Sequence, residues 1–521
     1  MDERIKLLAE LLVGAGVEHG FGVTGSGSSL ALITELERLG VRYYPASHET
    51  SSAIMAGAVC RVTKRLSVSI SIRGPGLASM LPGIVHNHFE NNPALSISEA
   101  FGHAVPSYRM HKRLDHAGLL SSVIKGMISI NEIEQGLSSL LHTAGSEVPG
   151  PVHLDLGVKD TQGSGPMPSR PYHASAPSQV AEEAFQRMRK AERPILVAGS
   201  LALRRGWGRE LATLDIPVFT TVAGKGVLGE GLRNSAGVFT GDGKELAPEA
   251  HLFAEADLII GMGLRNTEVL SPTSFGKPVI LIDEVNGQLS DGFQADLLLT
   301  YSDPGVASDI LDILKNKRWG LERLDFLRRR VQEGLLKAAW LPSICFNILN
   351  DLHFPYALVL DSGSFCTIGE HLWKAGPDRL FLGASNGRYM GVAIPSAVGA
   401  AIGKPGFPVF CVVGDGGMQA YPSEIKLAVH ERLPVCFVLM TDGRYGSVAC
   451  AQQGKAMSRR AVSVFQPSWW KPVEAMGCEA RAVDSEGSFM AAVHAWDRKH
   501  PLFIEAGFDP ESYANMTKGL R

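Results

Sequence analysis

Short, continuous runs of β-branched and other apolar residues recur along the whole chain. Twelve read as strands: Val41–Pro45, Leu66–Ile72, Ala94–Ile97, Val152–Leu156, Ile195–Val197, Val218–Thr221, Leu258–Gly261, Val279–Ile282, Ala357–Leu360, Val409–Val413, Val435–Met440 and Leu502–Glu505. Most are unbroken instead of alternating, so neither face of the strand is meant for water. Helical patterns such as Glu182–Ala191 and Ser423–Glu431 lie between them. Buried strands alternating with helices predict parallel sheets covered by helices, the α/β class. Two breaks divide the pattern. Residues 157–178 are rich in Gly, Pro and Ser without periodicity, and a charged helical stretch, Lys315–Lys337, precedes Trp340-Leu341-Pro342. A chain of 521 residues is then expected to form three doubly wound parallel-sheet domains, over 1–160, 179–318 and 340–521.

Composition narrows the function classes. With 50 basic and 53 acidic residues the net charge is -3, which gives no electrostatic footprint for nucleic acid or an anionic membrane. The longest apolar stretch, Met390–Gly403, carries an internal Pro and is too short to span a bilayer. The first residues have mixed charge and then an amphipathic helical pattern, unlike a signal peptide. The 7 cysteines include no C-x-x-C, and several sit in apolar runs, as reduced thiols would. A cytoplasmic protein is expected.

The strongest chemical signal lies in the third segment. The run Val409–Val413 ends in Gly414-Asp415-Gly416-Gly417, and Val435–Met440 runs into Thr441-Asp442-Gly443-Arg444-Tyr445. Two turns ending two buried strands share one carboxyl edge, where open α/β sheets bind ligands. Glycines let backbone approach a diphosphate, and Asp415 and Asp442 offer hard oxygens to Mg²⁺. Gly241-Asp242-Gly243 repeats the tripeptide, but Val269 stands where the second turn would need an oxygen ligand, so it reads as a plain turn.

This pattern resembles the cofactor motif of thiamine diphosphate-dependent enzymes, a Gly-Asp-Gly followed by a later Asn-Asn. Asp415 takes the Asp position and Asp442 that of the second Asn. The resemblance implies Asp415, Asp442 and the Arg444 carbonyl as Mg²⁺ ligands, with Gly416, Gly417 and Tyr445 at the cofactor. The Asn-Asn pair is Thr441-Asp442 here, which adds negative charge beside a diphosphate. In the first segment, His48-Glu49 follows a strand and opens a small-residue helix, and a second strand ends in Gly74-Pro75-Gly76. That resembles the pyrimidine-binding domain of the acetohydroxyacid synthase and benzoylformate decarboxylase branch. Glu49 would share a proton with a ring nitrogen, so that the imino tautomer removes the thiazolium C2 proton. Alternatively, a Glu opening a helix simply suits its dipole.

Further stretches extend the resemblance over nearly the whole chain, as pyrimidine-binding, central and diphosphate-binding domains. Ser364 in Tyr356–Phe365 falls at a phosphate donor. In Leu382–Gly403, the Arg388 carbonyl would accept from the pyrimidine amino group. Met390 falls at the large apolar position that bends the cofactor, or else packs in the core. On the substrate side, Ser26 matches a substrate-contacting Ser of benzoylformate decarboxylase. Arg73 would hold a carboxylate, or is solvated or ion-paired. His111 and His116 are candidate proton donors, or surface and packing residues; the five histidines between 86 and 116 fit no zinc spacing.

What the resemblance implies is a decarboxylating enzyme for a 2-oxo acid or related acyl donor, using thiamine diphosphate and Mg²⁺, that protonates or ligates the acyl carbanion. Acetolactate synthase proper, a decarboxylase of a larger donor, and a non-catalytic binding homologue are the alternatives. A nucleotide-binding oxidoreductase is disfavoured, because the only G-x-G-x-x-G, Gly224–Gly229, precedes no helical pattern. FAD is left open for the middle domain and is not expected. In the family that the chain resembles, the pyrimidine-binding and diphosphate-binding domains meet across a subunit boundary, so the resemblance implies a homodimer or homotetramer whose sites pair Glu49 of one chain with Asp415 of the other.

Overall fold

The computed structural model describes residues 3–101, 111–157, 178–264, 268–269, 271, 275–285, 295–301, 305–337, 340–452, 458–464 and 468–521. Most of the expected linker lies outside them. They form three six-stranded sheets, in which every strand pairing is parallel, with helices between most successive strands.

The first sheet holds β1 (His19–Gly22), β2 (Arg42–Pro45), β3 (Val68–Ser71), β4 (Leu95–Ala100), β5 (Met127–Ser129) and β6 (Val152–Gly157), in the order β2-β1-β3-β4-β6-β5. The third holds β13 (Tyr356–Leu360), β14 (Arg379–Gly383), β15 (Val409–Gly414), β16 (Val435–Thr441), β17 (Glu479–Val483) and β18 (Leu502–Gly507), in the order β14-β13-β15-β16-β18-β17. Counted from the first strand of each sheet, the two orders are identical. The middle sheet differs. Its strands β7 (Pro194–Ala198), β8 (Val218–Thr220), β9 (Ser235–Val238), β10 (Leu258–Met262), β11 (Val279–Asp283) and β12 (Leu297–Thr300) run β12-β11-β10-β7-β8-β9, the order of dinucleotide-binding folds.

Strand order reverses direction between β1 and β3, between β7 and β10, and between β13 and β15. Crevices open there at the carboxyl edges. In the middle sheet a buried carboxylate lies at this point. The Glu268 carboxylate, 2% exposed, accepts from the Ser200 amide at 2.9 Å, the Ser200 hydroxyl, and the Thr221 hydroxyl at 2.9 Å. Gly224–Gly229 forms turns, and in Gly241-Asp242-Gly243 the Gly243 amide is bound by the buried Glu249 carboxylate.

The outer domains meet along two helices. Glu49–Thr63 is buried almost throughout, because its small residues let neighbours approach on several sides. Ala393–Gly403 packs against it, and Met55, Ala56 and Val59 share one apolar cluster with Ala397, Val398 and Ala401. At Gly399 a Cβ would stand 2.6 Å from the Met55 carbonyl oxygen. On the opposite flank, a Cβ at Gly83 would meet that of Ala53 at 2.7 Å.

Gly399→Leu is expected to destabilise the protein by about 1–3 kcal/mol through overpacking against backbone. Urea unfolding checks this, and an unchanged midpoint would refute the close approach.

Candidate cofactor site at the third sheet

The crevice between β13 and β15 is a cavity of about 160 Å³. Ser364, Met390, Asp415, Gly416, Gly417, Asp442, Arg444 and Tyr445 all line it. The structure thus gathers eight candidates spread over some 80 positions of sequence. β15 ends at Gly414, which puts Asp415 on the first turn of a short helix, Asp415–Met418. β16 ends at Thr441, and its turn folds back: the Thr441 hydroxyl donates to Asp415 Oδ1 at 2.6 Å, and the Asp442 and Gly443 amides donate to Oδ2 at 3.0 and 2.9 Å. Burial raises the Asp415 carboxyl against those donors. Burial, and then the Asp415 charge, push Asp442 up to about 6. Asp442 Oδ2 is buried without a hydrogen-bond partner. Two adjoining carboxylates, one with an orphaned oxygen, are the donor chemistry of a hard divalent cation. Small residues keep the floor open, since a Cβ on Gly416 would meet Met390 Sδ at 2.6 Å.

Asp361 lies beneath this floor and escaped sequence reasoning. It follows β13 as Asp415 follows β15, and that shared register was the available signal. Its carboxylate accepts from the Gly391 amide at 2.9 Å and fixes the loop carrying Met390. Burial pushes it up to about 7 despite the Ser362, Gly391 and Val392 amides. Met390 itself is 44% exposed, so plain core packing does not describe it. Ser447 and Tyr513 also line the cavity and carried no motif.

Arg388 is placed differently. Its backbone has φ +48°, and its side chain turns away from the cavity to the buried Glu370. Arg521 grips the same carboxylate from another side and donates to the Thr367 hydroxyl at 3.0 Å. Burial alone would raise Glu370, but Arg521 and Arg388 outweigh it and hold the carboxyl at about 2.

The first-sheet candidates do not line the cavity. Glu49 is half-buried and opens its helix, with His48 as the cap: Nδ1 accepts from the Thr50 amide at 3.1 Å. Ser26 is exposed on the loop after β1. Arg73 is ion-paired: Nη2 meets Glu99 Oε2 at 2.8 Å, and the guanidinium lies 4.5 Å from the Phe101 ring. Glu99 also accepts from the Ser29 hydroxyl at 2.8 Å. His111 is exposed. His116 is buried, its Nδ1 2.7 Å from Asp155 Oδ1, while Nε2 accepts from the Gly74 amide at 3.4 Å. His153 Nε2 reaches the same Asp155 oxygen at 3.1 Å. Burial alone would raise Asp155, but the two imidazoles hold it below its ordinary value. The ligand-type atoms of His116, His153 and Asp155 lie within 4.8 Å of one another, yet each ring already has hydrogen-bond partners. The cluster therefore closes on itself and gives His116 the packing role.

The first and third sheets share one strand order, and the third carries a polar cavity at its switch point, where open α/β sheets bind ligands. Comparison with known proteins makes the class specific. Residues 5–117 match the thiamine pyrophosphate enzyme N-terminal TPP binding domain, 181–308 the central domain, and 361–506 the C-terminal TPP binding domain. The chain belongs to the thiamine pyrophosphate enzyme family. It is 24% identical to a probable acetolactate synthase large subunit of Methanococcus aeolicus, over 96% of this chain and 91% of that one. It is 24% identical to the acetolactate synthase of Bacillus subtilis, over 98% and 94%. With a probable 2-ketoarginine decarboxylase of Pseudomonas aeruginosa it shares 25%, over 91% and 88%. Among the described residues, no helix is long and apolar enough to cross a membrane.

Arg521→Ala leaves Glu370 buried with one partner, and breaking such a pair costs about 3 kcal/mol. Because the folded carboxyl titrates near 2, that stabilisation is present above the unfolded value of 4.5 and lost as pH falls through 2. The urea midpoints of mutant and wild type should differ most above pH 5 and converge toward pH 2.

Proposed function

We propose that this chain is a thiamine diphosphate- and Mg²⁺-dependent enzyme that decarboxylates a 2-oxo acid and then protonates the acyl fragment or joins it to a carbonyl acceptor, as an acetolactate synthase does. The observation that carries this reading is the convergence of Ser364, Met390, Asp415 and Asp442 on one switch-point cavity. Relatives named as acetolactate synthases and a 2-oxo acid decarboxylase support it.

When bound, thiamine diphosphate supplies the electron sink for cleaving a bond beside a carbonyl. The chain's residues do the rest. Asp415 and Asp442 would hold Mg²⁺, aided by the Arg444 carbonyl, and a cation there would offset the burial that raises both carboxyls and the Asp415 charge that raises Asp442. Ser364 and the Gly416 and Gly417 backbone bind the diphosphate, and Tyr445 closes that end. Met390 would support the cofactor from the cavity wall, and the Arg388 carbonyl would accept from its pyrimidine amino group. Glu49 holds a proton against the pyrimidine ring. Ser26 remains the substrate-side candidate. Arg73 reaches a substrate carboxylate only by giving up Glu99. The reading includes no FAD, because Glu268 occupies the place at the middle switch point where a dinucleotide phosphate would bind.

Every residue lining the cavity belongs to the third sheet's domain, and Glu49 is not among them. A complete site therefore takes Glu49 from a second copy, in a homodimer or a pair of dimers.

Glu49→Gln should retain cofactor and slow deuterium exchange at the thiamine C2 by about 10²–10⁴-fold. Exchange at the wild-type rate would sink the assignment. Asp415→Ala should lose Mg²⁺-dependent cofactor retention, with Asp442→Asn milder. Co-expressing Glu49→Gln and Asp415→Ala chains should restore activity, up to about half per mixed dimer, because one site then carries both lesions and the other neither. CO₂ release across a panel of 2-oxo acids tests the reaction itself, and no release from any of them would refute it.

A further inference from the structure

Two buried carboxylates along the seam between the outer domains have no part in the roles above. Glu90 is 8% exposed and Glu424 is 1% exposed. Glu90 caps the Pro75–Phe89 helix of the first domain, yet its Oε1 accepts from the Asn386 and Gly387 amides of the third, at 2.9 and 3.1 Å. Asn386 Nδ2 donates back to the Phe89 carbonyl at 2.9 Å. Glu424, just beyond the Asp415 turn, reaches the other way. Its Oε1 accepts from the Ser47 amide at 3.0 Å, and the His48 amide and Ser51 hydroxyl face the same carboxyl. The His48 and Tyr421 rings lie 5.7 Å apart beside it.

The arrangement is reciprocal. Each domain contributes a carboxylate that holds backbone of the other. Each held segment leads directly to residues assigned above to the cofactor: Ser47 and His48 precede Glu49, and Asn386 and Gly387 precede Arg388 and Met390. Burial is costly for these groups. It lifts Glu424 to about 7 against only amide and hydroxyl donors, and it raises Glu90 although Arg61 stands 3.9 Å away. Apolar packing would join two domains without that cost. A carboxylate adds direction, since it fixes where particular amides point.

From this exchange we infer that Glu424 and Glu90 are positioning residues acting as paired latches: Glu424 fixes the height and rotation of Glu49, and Glu90 fixes the loop that presents Met390. The inference rests on the cofactor roles proposed above. The Glu49 carboxyl must meet one ring nitrogen at hydrogen-bond distance, and the start of a helix is free to shift unless its preceding turn is held. Glu424 holds that turn at the Ser47 amide, with the His48 amide facing the same carboxyl.

The test separates positioning from general stability. In protein saturated with thiamine diphosphate, Glu424→Ala should slow C2 deuterium exchange by about 10–100-fold, the scale of a displacement near 1 Å. Cofactor Kd should move by less than about threefold, since uniform binding is not what is lost. Glu424→Gln, whose carbonyl still accepts from Ser47, should recover most of the rate. Glu90→Ala should weaken cofactor binding and also slow exchange at saturation, because the loop it holds carries Met390 and the Arg388 carbonyl. Because Glu424 acts through Glu49, the Glu49→Gln/Glu424→Ala double variant should exchange no more slowly than Glu49→Gln alone. Wild-type exchange in Glu424→Ala, measured below its unfolding temperature, or losses that multiply in the double variant, would overturn the inference. A second arm needs no cofactor. Backbone amide exchange should quicken at Ser47 and His48 in Glu424→Ala, and at Asn386 and Gly387 in Glu90→Ala. Unchanged protection there overturns the latches. A wild-type protein that binds no thiamine diphosphate overturns the functional reading instead, and the amide arm alone then decides the latches.

Discussion

Gly399 has no room for a side chain, and much of the structure depends on that. With a hydrogen in place of Cβ, the Ala393–Gly403 helix lies directly on the Met55 backbone, so the outer domains share apolar cluster residues across their boundary. Close packing leaves few ways for two such helices to fit, which fixes the domains relative to each other. Only with that spacing can Glu90 reach Asn386 and Glu424 reach Ser47. A chain with bulky residues along Glu49–Thr63 could still form each sheet, but the carboxyl edges would stand at different distances.

Much of this fold was legible, and the gaps have a common cause. Twelve runs fall on observed strands, to within a residue or two at most ends. The structure adds β1, β5, β9, β12, β14 and β17, and all but β1 are sheet edges. An edge strand has one open side, so its sequence need not be continuously apolar: β17 reads Glu-Ala-Arg-Ala-Val and buries only its last residue. β1 is interior, but its sequence His-Gly-Phe-Gly gives no apolar run, because glycines there accommodate close neighbours.

At the candidate site, residues attached to strand ends were legible, since a strand's end fixes where the next side chain sits. Asp415 and Asp442 follow strands adjacent in the sheet, and both reach the cavity. Contacts between elements distant in sequence were not legible. Nothing local ties Arg73 to Glu99, Arg388 to Arg521 through Glu370, or His116 to Asp155. Of the alternatives open for Arg73 the structure shows the ion pair, and it shows His116 buried against Asp155. Asp361 was passed over for the opposite reason, because its strand end carries no flanking glycine to draw notice.

The carboxylate of Glu268 has a further consequence at the middle sheet. A bound nucleotide stabilises its domain by mass action, and the effect rises and falls with concentration. Glu268 is part of the chain, so its hydrogen bonds to Ser200 and Thr221 need no bound solute. Stability gained there carries no linkage to a cellular pool and does not change when the protein is diluted or dialysed. The stabilisation Glu268 gives its domain is therefore constitutive, unlike that of any group held only by mass action.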